Sequence, residues 1–225
     1  MSIYGNIIQE KMLLNEDDIY YNKDKFDSRE INICFITGHS GSGKSTMGRE
    51  LSKDKNTEHY ELDDVVTNKD NFTMENLKEY GDLIYSFFNS IGKKYYLTGK
   101  ELREENKFEG FYEKELIRDF VDYSINYASK HKNKRFVLEG VWIYLFIHPS
   151  KLKDSAVYIK GTSRLVSDLR AAKRDSNDEY PDDGLKRFKS YIGRAKNFFT
   201  KEAIDSEKAI KQYRDYFRNL INKDQ

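Results

Sequence analysis

Residues 31–53 read INICFITGHSGSGKSTMGRELSK, and this stretch decides the fold. Its first part, residues 31–37, is a short apolar, β-branched run of the kind a buried parallel strand requires. Residues 38–45 follow as GHSGSGKS: a glycine, four free positions, then Gly-Lys-Ser, with Thr46 next. Gly38, Gly41 and Gly43 lack a Cβ, so the backbone can take positive φ and curl closely around a phosphate. The N–H groups of such a curl converge on an anion at a helix N-terminus, where the dipole also favours negative charge. Lys44 is then expected to set its ammonium between the β- and γ-phosphates of a nucleotide, and the Ser45 hydroxyl to ligate Mg2+. Residues 44–53 contain no proline and continue as a helix, with Met47 and Leu51 four apart on one face. A Gly/Ser-rich linker could carry the same pattern by accident. Strand, glycine loop and helix in immediate succession are the context that separates a nucleotide cradle from a linker. The expected nucleotide-binding segment is therefore Gly38, His39, Ser40, Gly41, Ser42, Gly43, Lys44, Ser45 and Thr46, with the His39 side chain pointing outward.

At 225 residues the chain suits one sizeable α/β domain, or such a core with a small appended lid. Charged residues make up 34% of it, yet the signs nearly cancel at +1, which excludes a globally basic nucleic-acid binder. The charge is unevenly spread: residues 160–201 hold 11 Lys/Arg against 6 Asp/Glu, and residues 1–30 hold 4 against 7. A single cysteine, Cys34, rules out an intramolecular disulfide and falls inside the first apolar run as a buried, inert thiol. The longest uninterrupted apolar run, residues 141–147, is 7 residues and cannot span a bilayer. Together with an N-terminus that has no apolar core of signal-peptide length, this predicts a cytoplasmic protein with no membrane contact.

Residues 1–30 form an acidic lead-in, read as an N-terminal extension to a domain over residues 31–225. Residues 58–62 (EHYEL) predict a second strand ending in Asp63 and Asp64. Thr73 is a plausible N-cap for a helix carrying Leu77, Tyr80, Ile84, Phe87 and Ile91 at helical spacing. A charged link over 93–110 precedes a second helix over about 112–130. Residues 135–139 (RFVLE) and 155–160 (SAVYIK) make the third and fourth strands, separated by the aromatic segment 141–148. A helix over about 163–173 leads into the turn-rich 175–184, and a last helix covers about 206–222. Short strands alternating with helices predict a mostly parallel sheet covered on both faces. No fifth strand is evident between Arg194 and Asp205, which leaves the sheet edge open.

In open α/β sheets the ligand sits at the carboxyl ends of the strands, so the polar residues there carry the chemistry. Asp63 and Asp64 end the second predicted strand. A carboxylate there can accept or orient the proton of an attacking hydroxyl, Asp63 being the favoured one; the alternative is an ordinary turn or cap aspartate. Glu139 ends an apolar strand and suits a metal-side carboxylate, acting on Mg2+ directly or through water; the alternative is a plain strand-end acid. Arg170 and Arg174 are four apart and share a helix face at the start of the basic segment. A lid over about 163–200 that closes with these arginines would put positive charge on the transferring oxygens; the alternative is a solvated basic face. Arg164, Arg187 and Arg194 are weaker members of that group. Trp142 and Tyr144, close behind Glu139, could line an acceptor pocket, Trp142 with Asp63 and Asp64 on the acceptor side, or belong to the core.

The glycine loop, the Asp63–Asp64 pair, Glu139 and the Arg-x-x-x-Arg at 170–174 together resemble the P-loop kinases of small molecules and nucleotides, including adenylate kinase, shikimate and gluconate kinase and zeta-toxin relatives. The resemblance spans roughly residues 31–200. It implies a P-loop NTPase three-layer αβα sandwich with a mostly parallel sheet and a helical lid. It further implies ATP and Mg2+ as cofactors, Lys44 and Ser45 in the phosphate and magnesium roles, and Asp63 on the acceptor side. Arg170 and Arg174 would match lid arginines on ATP and the transferred phosphoryl group. Adenylate-type kinases follow the third strand with Asp-Gly-Phe-Pro-Arg, whereas this chain reads Glu139-Gly140-Val141-Trp142, which argues against a nucleoside monophosphate acceptor. The adjacent aspartates also differ from the spaced pair of shikimate kinases.

The expected activity is transfer of the γ-phosphoryl group of ATP to a hydroxyl, with a phosphate as the less favoured target, of a small polar acceptor such as a nucleoside, nucleotide or sugar derivative. Two other readings stay open. One is an ATP-hydrolysing switch acting on a protein partner; the absence of Asn-Lys-x-Asp argues against its guanine-reading branch. The other is a polynucleotide 5′-hydroxyl kinase, with the basic lid as strand-binding surface. The acceptor, the oligomeric state and the choice of ATP over GTP are not legible in the chain.

Overall fold

The computed structural model describes residues 17–67, 76–91, 94–95, 109–162, 170, 173, 186 and 201–223. Five strands form one sheet: β1 (Ile19–Tyr21), β2 (Ile33–Thr37), β3 (Thr57–Glu61), β4 (Arg135–Glu139) and β5 (Ala156–Ile159). Their spatial order is β1-β5-β2-β4-β3. The pairs β2–β4, β2–β5 and β3–β4 are parallel, and β1 runs antiparallel to β5. The described helices are α1 (Lys23–Asp27), α2 (Lys44–Leu51), α3 (Leu62–Thr67), α4 (Asp82–Asn89), α5 (Glu109–Lys130), α6 (Trp142–Phe146) and α7 (Lys201–Lys223). The chain is thus α/β with a mostly parallel sheet.

Every residue of β2 is buried, because both faces of the central strand are covered. Ile33 and Phe35 face a core built with Phe120 of α5, Ile143 of α6 and Phe217 of α7. Cys34 and Ile36 face the opposite way, with Val137, Ala156 and Tyr158, against Met47 and Leu51 of α2. The alternation along the strand sorts side chains into two cores, one per sheet face. The arrangement is compatible with three layers.

The fifth strand lies in the acidic lead-in. Ile19–Tyr21 pairs with β5 through Ile19↔Ile159 and Tyr21↔Val157, so residues 17–30 are part of the sheet's edge and its first turn. The second strand ends at Glu61, one residue before the sequence-based boundary. Leu62, an apolar residue that reads as strand, instead opens α3 and is fully buried, and Asp63 and Asp64 fall in that helix's first turn. The predicted helix through Leu77 and Ile91 is broken at Gly81. Leu77–Tyr80 is a 3-10 turn, and α4 starts at Asp82. Gly81 has φ 103°, and a Cβ on it would come within 2.5 Å of the Tyr60 hydroxyl. Thr73 lies outside the described residues, as does most of the predicted lid. Among the described residues, no helix is long and apolar enough to cross a membrane.

The strand order positions the site. From β2 the chain crosses to β3 on one side, and from β4 it returns over β2 to β5 on the other. Crossovers thus leave in opposite directions around β2, and the crevice outside its carboxyl end is where such sheets accept ligands. The Gly38–Ser45 loop leaves β2 at that point.

Candidate functional site

The loop closes through its own backbone and through buried neighbours. The Ser42 N–H donates to the His39 carbonyl at 3.1 Å, and the Lys44 ammonium donates to the same oxygen at 3.0 Å. Gly38 has φ 147°, and a Cβ there would lie 2.9 Å from Ser42 Oγ and 3.0 Å from Lys160 Cβ. Position 38 therefore needs glycine both for its backbone angle and for the close approach of the chain end of β5. Gly43, the N-cap of α2, has φ 92° and faces open space, where a Cβ would meet nothing within 4 Å.

Contrary to the sequence reading, the His39 side chain points inward. It is 4% exposed, its Nδ1 lies 3.2 Å from the Tyr144 hydroxyl, and its Nε2 lies 3.0 Å from Glu207 Oε2. Tyr144 also shares a 2.6 Å hydrogen bond with Ser206. The loop is thereby fastened to α6 and to α7, elements more than 100 residues downstream.

A cleft of about 520 Å³ opens beside the loop. Ser40, Gly41, Gly43, Lys44, Ser45 and Thr46 line one wall; Glu61, Asp63, Glu139 and Gly140 line another; Arg49 and Arg170 also reach it. Carboxylates from two strand ends and a helix start thus meet cations from α2 and from residue 170 in one concavity. Asp64 and Trp142 are not among its lining residues. Trp142 stacks on Phe146 at 5.2 Å and packs against the core, while Val141 borders the cleft in its place. Arg174, Arg164, Arg187 and Arg194 lie outside the described residues.

Glu139 is the most deeply set acid, 2% exposed at the end of β4. His59 Nε2 faces its Oε1 across 3.4 Å, an ion-pair contact at the long limit of a hydrogen bond, and neither carboxylate oxygen nor that nitrogen has a well-formed hydrogen bond. Burial works against the charge of Glu139, but the nearby His59 and Ser45 outweigh it and hold its pKa below the ordinary carboxylate value. Glu61 is its register partner on β3. Burial, together with the neighbouring Glu139 and Asp64 charges, raises the Glu61 pKa. Asp64 is raised in the same way, by burial and by Asp63 and Glu139.

Local packing sets these positions. Gly48 of α2 sits over the His59 ring, where a Cβ would come within 2.2 Å of Nε2. Gly140 donates its N–H to the Ile36 carbonyl at 3.1 Å and accepts from Thr37 Oγ1 at 3.0 Å, which stitches the ends of β2 and β4 together beside the loop.

Three residues of the site were not anticipated from sequence: Glu61 and Arg49, which line the cleft, and His59, which lies against Glu139. Glu61 and His59 alternate on one face of β3, a period-2 signal hidden by the misplaced strand end. Arg49 stands four residues after Ser45 on α2, at helical spacing. No family model, curated protein or solved structure matches the chain.

Proposed function

We propose that the protein is a P-loop phosphotransferase of the three-layer αβα type, which moves the γ-phosphoryl group of ATP to a hydroxyl of a small polar acceptor. One observation carries this reading: a glycine loop with Lys44 and Ser45 at a helix start shares a single cleft with Asp63, Glu139 and Arg170. Donor-side and acceptor-side chemistry thus converge from four separate parts of the chain.

The loop amides and Lys44 bind the β- and γ-phosphates. Asp63 holds the acceptor hydroxyl and takes its proton as the oxygen attacks the γ-phosphorus. The bond from that phosphorus to the β,γ-bridging oxygen breaks in line, and ADP leaves with the electron pair. Arg170 stabilises the charge that gathers on the transferring oxygens, and Arg49 adds positive potential at the same wall. The buried carboxylate of Glu139, beside Ser45, fits a hard divalent cation. Ser45 and Glu139 would hold Mg2+, which supplies charge neutralisation of the donor phosphates. The site's acidic wall disfavours a second phosphate group as acceptor, which supports a hydroxyl-bearing one.

The test is a screen of nucleosides and sugar derivatives for acceptor-dependent conversion of ATP to ADP, with Lys44→Ala as control. Acceptor-dependent turnover that falls at least about 100-fold in the variant, in line with loss of a transition-state charge contact, is the expected outcome. Full activity in Lys44→Ala overturns the proposal. ATP turnover indifferent to every acceptor favours the hydrolysing switch instead.

A further inference from the structure

We propose that His59, Glu61 and Glu139 form a binding site for a first-row transition-metal dication of the Zn2+ class, which the chain takes up without nucleotide. Each of the three contributes one potential ligand atom, and these atoms all lie within 4.8 Å of one another. Two come from the same face of β3, at positions 59 and 61, and the third is the register partner of Glu61 on β4. The ligands therefore sit on two hydrogen-bonded strands and not on a loop, a placement that holds geometry well.

A cluster of acids on a surface would mean little. Here Glu139 is 2% exposed and lines the cleft, and both its oxygens are buried, as is Nε2 of His59. Buried polar atoms of a native protein are ordinarily satisfied; the long 3.4 Å contact between His59 Nε2 and Glu139 Oε1 leaves these atoms without a well-formed hydrogen bond, a gap that an ion bound between them would fill. The spacing suits a metal ion. Zn2+ bonds of about 2.1 Å at the tetrahedral angle place two ligand atoms about 3.4 Å apart. His59 Nε2 and Glu139 Oε1 are separated by 3.4 Å. Rotation of the half-buried Glu61 side chain brings in the third ligand and leaves a fourth position open to the cleft, the pattern of three protein ligands plus one exchangeable site.

The imidazole sets the selectivity. Mg2+ takes oxygen ligands and keeps most of its waters, whereas a mixed nitrogen and carboxylate set favours Zn2+ and its neighbours. Gly48 makes room for the imidazole against α2, since any Cβ at position 48 would collide with the His59 ring. This site shares Glu139 with the kinase reading but does not depend on it.

The measurement is isothermal titration of Zn2+, and separately Mg2+, into the nucleotide-free full chain. One Zn2+ per chain is expected, at least tenfold tighter than Mg2+. His59→Gln is expected to weaken Zn2+ at least tenfold while leaving Mg2+ within twofold, with far-UV circular dichroism melts confirming the fold. Should that variant fail to fold, Glu61→Gln carries the same expected loss. Zn2+ affinity unchanged in a folded variant, no saturable Zn2+ binding, or equal affinity for the two ions each overturns the proposal. Lys44→Ala separates the two readings, because it leaves Zn2+ binding intact. A chain that binds Zn2+ and transfers no phosphoryl group refutes the kinase alone; an active kinase that takes no Zn2+ refutes this site alone.

Discussion

Asp18 and Lys160 form an ion pair that joins the acidic lead-in to the end of β5, 142 residues along the chain. Asp18 also accepts a 2.7 Å hydrogen bond from the Gly161 N–H, and Lys160 Cβ stands where a side chain on Gly38 would have to go. Arg214 of α7 reaches the carbonyls of Lys160 and Asp17 from the other side. The lead-in, the last strand and the C-terminal helix thus brace the first turn of the glycine loop. A segment that reads as a featureless extension supplies part of the wall that keeps the loop in shape.

This pair makes stability depend on pH in a defined direction. Burial opposes the Asp18 charge, but Lys160, the Gly161 N–H and the Tyr20 hydroxyl outweigh it and lower the pKa below 3.8. A carboxylate with a lowered folded pKa stabilises the fold above its unfolded value and loses that contribution as pH falls through the folded one. Asp18→Asn is therefore expected to be less stable than the natural chain at pH 7 by on the order of 1 kcal/mol, because a part-exposed pair is screened by solvent. The gap should close as pH drops below about 3.8. Urea denaturation of both proteins at several pH values measures it; a gap that stays constant with pH contradicts the assignment.

The inward His39 predicts a separate effect on the loop. Its ring bridges Tyr144 of α6 and Glu207 of α7, while its carbonyl receives both Lys44 and the Ser42 N–H. His39→Leu keeps the buried volume but removes both polar partners. The loop should then hold its glycine geometry less firmly, and nucleotide affinity is expected to fall about tenfold, or ~1.4 kcal/mol. Fluorescent-nucleotide titration checks this, with a thermal melt to show that the fold survives. Undiminished affinity would show that the loop needs no fastening to α6 and α7.

What sequence revealed and what it hid follow one physical division. β2, the loop and α2 were legible because their signals are local: an apolar run, glycines at fixed spacing, and a helix without proline. β4 at 135–139 was legible for the same reason, and the structure has it at Arg135–Glu139. The misses all depend on distant partners. Ile19–Tyr21 is only 3 residues long, and its identity as a strand comes from pairing with β5. His39 turns inward because of Tyr144 and Glu207, which no local pattern announces. Gly81 interrupts an otherwise helical pattern because the Tyr60 hydroxyl from β3 stands where a side chain would fall. Leu62 is apolar whether it closes a strand or opens a helix, so the strand boundary slipped and Glu61 was passed over. At the site, the loop and Glu139 could be chosen from type and position alone. Glu61, His59 and Arg49 required the register of β3 against β4 and the facing of α2.

Asn32 offers the sharpest stability test, since one side chain holds three strands of logic together at the foot of β2. It is 5% exposed, and its Nδ2 donates to the carbonyls of Ala128 at 2.8 Å, His131 at 3.1 Å and Lys134 at 3.0 Å. Those carbonyls belong to the last turn of α5 and the connection into β4, where the His131 N–H also donates to Ala128 and the Lys134 N–H to His131, so Asn32 adds a second donor at a helix end. Its own carbonyl accepts the Phe136 N–H at 2.8 Å, which starts the β2–β4 pairing. Asn32→Ala removes a donor shared by three carbonyls, two of which keep a backbone N–H donor (His131 on Ala128, Lys134 on His131), and is expected to lower stability by roughly 1–2 kcal/mol. Asn32→Asp should be worse at neutral pH, because an ionised carboxylate would face three carbonyl oxygens in a buried setting. Its pKa would be raised, so by linkage the variant regains stability as pH falls and the acid becomes protonated, able to donate once more. Urea denaturation of both variants at pH 7 and at about pH 4 distinguishes the cases. Equal stability of Asn32→Asp and Asn32→Ala at both pH values would mean that water, and not Asn32, satisfies the α5 terminus.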